Sequence, residues 1–218
     1  VYFDCFKKSK NHRKKDKEIP LNPDYIKNKL NNLQIKEIQP GFQRIATTEL
    51  IKKNNKFLNS NEFNNIKKEY GTLGHKVLEN AAHQNWIIDV DKQIRYLNKT
   101  FHLSNEEVNL LKKQLKIVIT MMKKQTKNAP KILIEFPFLI KKKKQFIDGV
   151  IDLVTIDNDR ISIYDYKFSN LDQNELIDFY KEQINIYNHA IIKKLNPLTP
   201  IINYLVLISD TKIKLIDL

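Results

Sequence analysis

The sequence predicts an α/β protein: a central mixed β-sheet flanked by helices, with a helical N-terminal part. Three observations predict it. A long amphipathic helical stretch follows Ser104, with Val108, Leu111, Leu115, Val118 and Met122 on one face. Three apolar, β-branched segments then succeed one another between residues 132 and 167. A helical stretch over 173–194 and a fourth apolar segment over 202–208 come after them. With 41% hydrophobic and 29% charged residues in 218, the chain can bury one real core.

Taken in order, residues 7–17 (KKSKNHRKKDK) are a basic run without apolar periodicity, which reads as a linker or solvated arm. Pro20 and Pro23 punctuate its end. Residues 23–37 suit a short helix with Tyr25, Ile26, Leu30, Leu33 and Ile35 as its apolar positions, broken at Gln39-Pro40-Gly41. Residues 45–58 and 61–69 read as further short helical pieces. A clearer helix is expected from near Gly71 to about Val90, with Leu78, Ala82 and Trp86 as its buried stripe. Ser104-x-x-Glu107 has the form of a capping box for the long helix, and Asn128-Ala129-Pro130 ends it. Strands are expected over 132–140, 145–156 and 160–167, with Asp157-Asn158-Asp159 as a turn, in an antiparallel meander. Pro137 places the first of them at a sheet edge or a bulge. Pro197 and Pro200 close the 173–194 helix, and a last short strand is expected over 212–217. The organisation is therefore a basic linker or arm with helical pieces over 1–70 and a core over 71–218. No internal repeat is visible.

The net charge of +13, from 38 basic and 25 acidic side chains, has two readings: a polyanionic partner such as nucleic acid, or a composition rich in Lys and Asn throughout. A single cysteine, Cys5, excludes an internal disulfide and any four-cysteine zinc or iron–sulfur site. Nothing points to an oxidising compartment, and a cytoplasmic protein is expected. No apolar run approaches the roughly 20 residues of a membrane span. The chain does not begin with Met, which leads to the expectation that it is part of something longer.

Chemistry is concentrated in five segments. In Asp165-Tyr166-Lys167, strand alternation puts the carboxylate and the ammonium on one face, where they can serve a metal ion and a water molecule. Asp-x-Lys recurs at Asp210-Thr211-Lys212 without partners, so the triplet alone decides little. Asp152, within Asp148-Gly149-Val150-Ile151-Asp152-Leu153-Val154, sits among aliphatic residues. It stands either beside Asp165 around a cation, or on a solvent face or paired with a lysine. His75 in Gly71-Thr72-Leu73-Gly74-His75 is placed in the first turn of its helix with Glu79 one turn on. It can complete a metal site or be an ordinary helix histidine. Gln183 and Tyr187 share the apolar face of the 173–194 helix with Leu176, Tyr180 and Ile191. That glutamine either hydrogen-bonds something specific or lies at the stripe's edge. Glu135 in ILIEFPFLI is a second acidic member or a structural partner. Lys141, Lys142, Lys143 and Lys144 form a hairpin tip that either is solvated or holds phosphates.

GTLGHKVLE, EFPF, GVID, DYK and QINIY, in that order over about residues 71–190, resemble the RecB-like branch of the PD-(D/E)XK nucleases. The likeness is to the C-terminal nuclease domain of AddA- and RecB-type helicase–nucleases. The resemblance implies a restriction-endonuclease-like core and a metal-dependent deoxyribonuclease using Mg²⁺ or Mn²⁺. It implies His75, Asp152, Asp165 and the backbone carbonyl of Tyr166 as metal ligands, and Lys167 as the residue that positions water. Glu135 becomes a supporting acidic residue, and Gln183 and Tyr187 shape the site and hold DNA. The implied partners are single- or double-stranded DNA and a helicase module, in the same polypeptide or complex. The implied setting is double-strand break repair and recombination at the nucleoid. The single cysteine sets the chain apart from members with an iron–sulfur cluster. A DNA-binding module that cleaves nothing, and a stand-alone exonuclease or endonuclease, are the rival expectations.

Overall fold

The computed structural model describes residues 43–49, 68–142 and 145–218. The basic run over 7–17, the helix expected over 23–37, the helical pieces over 50–67, and Lys143 and Lys144 lie outside the described residues. The helices are α1 (Lys68–His83), α2 (Val90–Phe101), α3 (Asn105–Thr126) and α4 (Gln173–Leu195). The strands are β1 (Gln43–Ala46), β2 (Lys131–Lys142), β3 (Gln145–Ile156), β4 (Ile161–Phe168), β5 (Ile201–Ile208) and β6 (Ile213–Asp217). No helix among the described residues is long and apolar enough to cross a membrane.

The six strands form one mixed sheet ordered β1-β3-β4-β5-β6, with β2 on the other side of β3. β2–β3, β3–β4 and β5–β6 pair antiparallel, and β1–β3 and β4–β5 pair parallel. The expected meander is present. β2 has β3 as its only strand neighbour among the described residues, which is where Pro137 costs no ladder hydrogen bond. α1, α2 and α3 pack on one face of the sheet, against Leu153, Tyr164, Tyr166, Val206 and Ile208. α4, the crossover from β4 to β5, covers the other face through Ile186, Tyr187, Ala190 and Ile191 against Ile147, Ile151, Val154 and Ile163.

Local chemistry explains the helix boundaries. Ser104 and Glu107 make the expected capping box on α3, and Asp172 and Glu175 make another on α4. The helix expected up to Val90 ends instead at His83, and a further helix that the sequence did not announce, α2, begins at Val90. Asn85 and Trp86 turn left-handed, with φ of 52° and 64°, and the Trp86 N–H bonds back to the Ala81 carbonyl at 2.7 Å, closing α1. Asp89 then caps α2 by accepting from the Lys92 N–H. Trp86 is still buried as its stripe predicts, and its indole N–H reaches Thr126 at 2.8 Å. Gln43–Ala46 is a strand rather than the start of a helical piece. It pairs with Gln145–Asp148, so the sheet recruits chain upstream of residue 71.

α1 begins at Lys68, about two turns before His75, so Gly71 and Gly74 lie inside the helix rather than ahead of it. Packing is the reason for Gly74. A Cβ there would stand 2.2 Å from Cζ of Phe168, whose ring also packs edge-on to Tyr70. Helix propensity alone favours alanine over glycine by about 1 kcal/mol. The expected result is the reverse: Gly74→Ala lowers stability by about 1–3 kcal/mol through overpacking, and Phe168→Leu in the same chain recovers most of it. Urea unfolding of the single and double variants measures both. A stabilised Gly74→Ala would contradict the packing account.

The β2–β3 hairpin is not uniform along its length. Phe138, Ile140, Ile147 and Ile151 point towards α4. Beyond the 135/152 level the alternation inverts, so that Ile132, Ile134 and Leu153 pack on the α1 side while Leu133 and Val154 face α4. The inversion coincides with Glu135, whose φ is 48°, and with the one rung missing from an otherwise continuous β2–β3 register. A left-handed glutamate is strained by about 1–3 kcal/mol. It re-aims the strand beside Asp152.

Candidate active site at the fork of the sheet

The free edge of β3 changes partner along its length. Residues 145–148 pair with β1 and residues 153–156 with β4, leaving 149–152 between them without a strand partner on that edge among the described residues. Leu153–Tyr164 is the last paired position of β3 and β4. Asp152 and Asp165 lie one step beyond it, where the two strands part. The sheet thus delivers two carboxylates to one gap, as the sequence led us to expect.

The two faces of the sheet supply the rest. On the α4 side, Asp165 and Lys167 stand together with Lys167 Nζ 2.6 Å from Asp165 Oδ2, both nearly buried. The Lys167 ammonium lies over the Tyr180 ring, 4.1 Å from its centroid. Gln183 is 4% exposed, so it is not at the edge of the stripe. Its amide N–H₂ donates to the Tyr187 hydroxyl and approaches Asp165 Oδ1 at 3.5 Å. The Tyr187 hydroxyl lies 3.1 Å from the Val150 carbonyl and 3.4 Å from Asp165 Oδ1. Gln183 Oε1 is buried without a hydrogen-bond partner. On the α1 side, His75 Nδ1 is 3.5 Å from Asp152 Oδ1, and its ring packs against Tyr166 and Phe168. The other oxygen of Asp152 accepts the Tyr166 N–H at 2.7 Å.

The two carboxylates titrate in opposite directions. Burial and the neighbouring Asp152 push Asp165 up, outweighing Lys167. Burial would raise Asp152 too, but His75, Lys167 and the Tyr166 N–H more than offset it and hold Asp152 below the usual carboxylate range. His75 is raised, because Asp152 outweighs the burial that would lower it. Lys167 is raised as well: burial opposes its charge, while Asp165, Tyr180 and Asp152 favour it. Its charged form, an ammonium, is therefore the favoured one here, and in that form it donates hydrogen bonds.

Glu135 is half-buried, and burial followed by Asp152 and Glu79 raises its carboxyl. It belongs to the same electrostatic group from the β2 side. Glu79 itself pairs with Lys76 at 2.6 Å. Lys141 and Lys142 are exposed at the end of the hairpin. The second Asp-x-Lys lies away from this gap, with Asp210 accepting from Asn170 in the β5–β6 turn. Among the described residues no three His, Cys, Asp or Glu side chains sit close enough together to hold a metal ion as they stand. His75 and Asp165 come from opposite faces, and Asp152 is engaged by His75 and by the Tyr166 N–H.

A family model described as the PD-(D/E)XK nuclease superfamily matches residues 50–212. The chain belongs to that superfamily. The mixed sheet with helices on both faces is its restriction-endonuclease-like fold, and membership places the chain among the nucleases. No curated protein matches it. Among solved structures, the protein called SSO0001 is 13% identical, with a TM-score of 0.37, over 89% of this chain and 73% of that one. A proposed exonuclease from Eubacterium rectale is 9% identical, with a TM-score of 0.45, over 86% of this chain and 76% of its own.

Tyr180 escaped the sequence reading as a site residue. It was placed on the right helix face, three residues before Gln183, but nothing local says that its ring will meet a lysine from β4.

Proposed function

We propose that this superfamily member is a metal-dependent deoxyribonuclease that hydrolyses phosphodiester bonds, the exonuclease domain of a helicase–nuclease acting on broken DNA in the cytoplasm, at the nucleoid. The observation that carries the reading is the Asp165–Lys167 ion pair set against Asp152 at the point where β3 and β4 part. Its chemistry fits a hard divalent cation. The donors are two carboxylates, one imidazole and the main-chain carbonyl of Tyr166. Asp165 is buried close to a second acid, an arrangement that a cation stabilises. His75, Asp152, Asp165 and the Tyr166 carbonyl would hold Mg²⁺ or Mn²⁺, which when bound lowers the pKa of a water and offsets phosphate charge.

The chain's own groups do the rest. Lys167, fixed between Asp165 and the Tyr180 ring, presents N–H donors to the attacking water and to charge that develops on the phosphate. Gln183 and Tyr187 hold the Asp165 carboxylate in place from α4. Glu135 adds a second acid on the β2 side. The basic surface, with Lys141 and Lys142 among its described members and Lys143 and Lys144 in the same run, supplies contacts to phosphates that carry no sequence information.

The test is cleavage of linear and circular DNA, single- and double-stranded, in Mg²⁺, Mn²⁺ and EDTA. Cleavage in metal that stops in EDTA is expected, with activity falling steeply as salt rises. Cleavage of linear but not circular DNA identifies the exonuclease. Absence of cleavage in both metals would overturn the reading in favour of a binding module.

A further inference from the structure

Lys167 stands near the end of β4, beside Leu207 of β5, at a level where β3 has already parted from β4. Its ammonium is carried on a flexible four-carbon stem, so its place depends on what holds the charged end. Two contacts do so: Asp165 Oδ2 at 2.6 Å and the face of the Tyr180 ring, 4.1 Å from the ring centroid. They are not equivalent. Asp165 is also a candidate donor to a divalent cation, and a carboxylate that shares its charge with a cation attracts an ammonium less. The ring attracts the ammonium through the quadrupole of a neutral group, which has no charge to give up. The ring is itself well seated. Tyr180 packs on the cluster of Leu176, Leu205, Leu207 and Ile216, and Phe179 stands edge-on to it with ring centroids 4.6 Å apart.

We propose that Tyr180 is the positioning residue for Lys167: its ring face keeps the ammonium at the fork when Asp165 serves a cation. The inference rests on the reading of the fork as a phosphodiester-cleaving site and adds a member to it. α4 then holds the two halves of the ion pair separately. Gln183 and Tyr187 hold the carboxylate, and Tyr180, about one turn earlier, holds the ammonium. With one N–H of the ammonium turned to Asp165 and the ring covering another side, the remaining donor is directed away from both. That donor is the one left for the attacking water or the phosphate. Tyr180 acts through Lys167, and the face of its ring is what the role requires.

The experiment compares wild type with Tyr180→Phe, Tyr180→Leu and a protein carrying trifluorophenylalanine at position 180, whose ring keeps its shape but has a weakened face. Thermal melts establish that each folds. Tyr180→Phe is expected to retain most of the wild-type kcat. Tyr180→Leu is expected to lose about a hundred-fold in kcat, the scale of a misplaced reacting group, with KM for DNA moving less than about two-fold. The fluorinated protein is expected to fall between the two. A metal-free signature goes with these rates. In EDTA, NMR should find the Lys167 ε-methylene protons upfield of those of exposed lysines, through the ring current, in wild type and Tyr180→Phe but not in Tyr180→Leu. An unchanged kcat in Tyr180→Leu, a fluorinated protein as fast as Tyr180→Phe, or Lys167 ε-protons at ordinary positions in wild type would each overturn the proposal. If Tyr180→Leu fails to fold, the Phe and fluorinated proteins decide it, since both keep the shape of the ring. Wild type that cleaves no DNA overturns the nuclease reading and the positioning role together, whereas wild type that cleaves with a rate indifferent to the ring overturns the positioning role alone.

Discussion

Lys167→Met is expected to reduce DNA cleavage by about two to four orders of magnitude, the range for losing a positioned group that handles the attacking water and the developing charge. Methionine keeps the aliphatic stem, so packing against Tyr180 survives while the ammonium goes. The same substitution leaves Asp165 nearly buried without its ion-pair partner, at a cost of about 3–5 kcal/mol. Asp165 would answer by taking up a proton, a direction in which burial and Asp152 already push it, which softens the loss. The pair therefore separates function from stability. Asp165→Asn together with Lys167→Met replaces both charges by neutral groups of similar shape, and should recover stability towards or above wild type while remaining inactive. Single-turnover cleavage and urea unfolding of the two proteins measure this. A Lys167→Met enzyme within a few-fold of wild-type cleavage would remove Lys167 from the chemistry. A double variant as unstable as the single one would mean that the pair is a net stabiliser.

Parts of this arrangement are legible in the sequence because they depend on neighbours in the chain. Asp165 and Lys167 share a face through strand alternation, and that alternation holds within β4. Ser104 and Glu107 cap α3 through a contact three residues long. The Gln183–Tyr187 spacing on an apolar helix is local in the same way, and both side chains end at Asp165. The alternatives left open at Asp152 are narrowed by the fold: its charged contact is His75 rather than a lysine, and its backbone partner is the Tyr166 N–H.

What was not legible depends on residues far apart. Gly71 and Gly74 read as a helix start because glycine disfavours helix interiors. Gly74 lies inside α1 because Phe168, from a strand 94 positions away, fills the space a Cβ would need. The break between α1 and α2 is hidden because the apolar stripe of Leu78, Ala82 and Trp86 continues across it, and left-handed Asn85 carries no more signal than any other Asn in an Asn-rich chain. β1 is four residues long, and its partner is about a hundred residues on, so no local periodicity announces it. The inversion of alternation at Glu135 and Asp152 would make a strict two-residue period misassign half of the hairpin. The site lies where that rule fails, consistent with strain concentrating at functional positions.

Asp152→Asn should cost cleavage about as much as Lys167→Met, on the order of a thousand-fold, because it neutralises the carboxylate that links His75 of α1 to the β4 backbone beside Asp165. It accepts from the β4 backbone at Tyr166 and lies beside His75 of α1. The effect has a metal-free signature that activity alone cannot give. His75 is held above its ordinary pKa by Asp152 against a burial that favours the neutral ring. In Asp152→Asn the burial is left with less opposition, so the His75 pKa should fall. A histidine whose folded pKa exceeds its unfolded value of about 6.5 stabilises the fold fully below that value. The contribution is lost as pH rises through the folded pKa. The metal-free wild type should accordingly lose a small increment of stability on going from slightly acid to alkaline pH, and Asp152→Asn should lack it. NMR titration of His75 and urea midpoints across that window in EDTA measure both. A His75 pKa unmoved by the substitution would show that Asp152 does not govern its charge. If His75 shifts as expected while cleavage persists, Asp152 organises the apo site without serving the reaction. Loss of cleavage together with the His75 shift places both residues in one working centre.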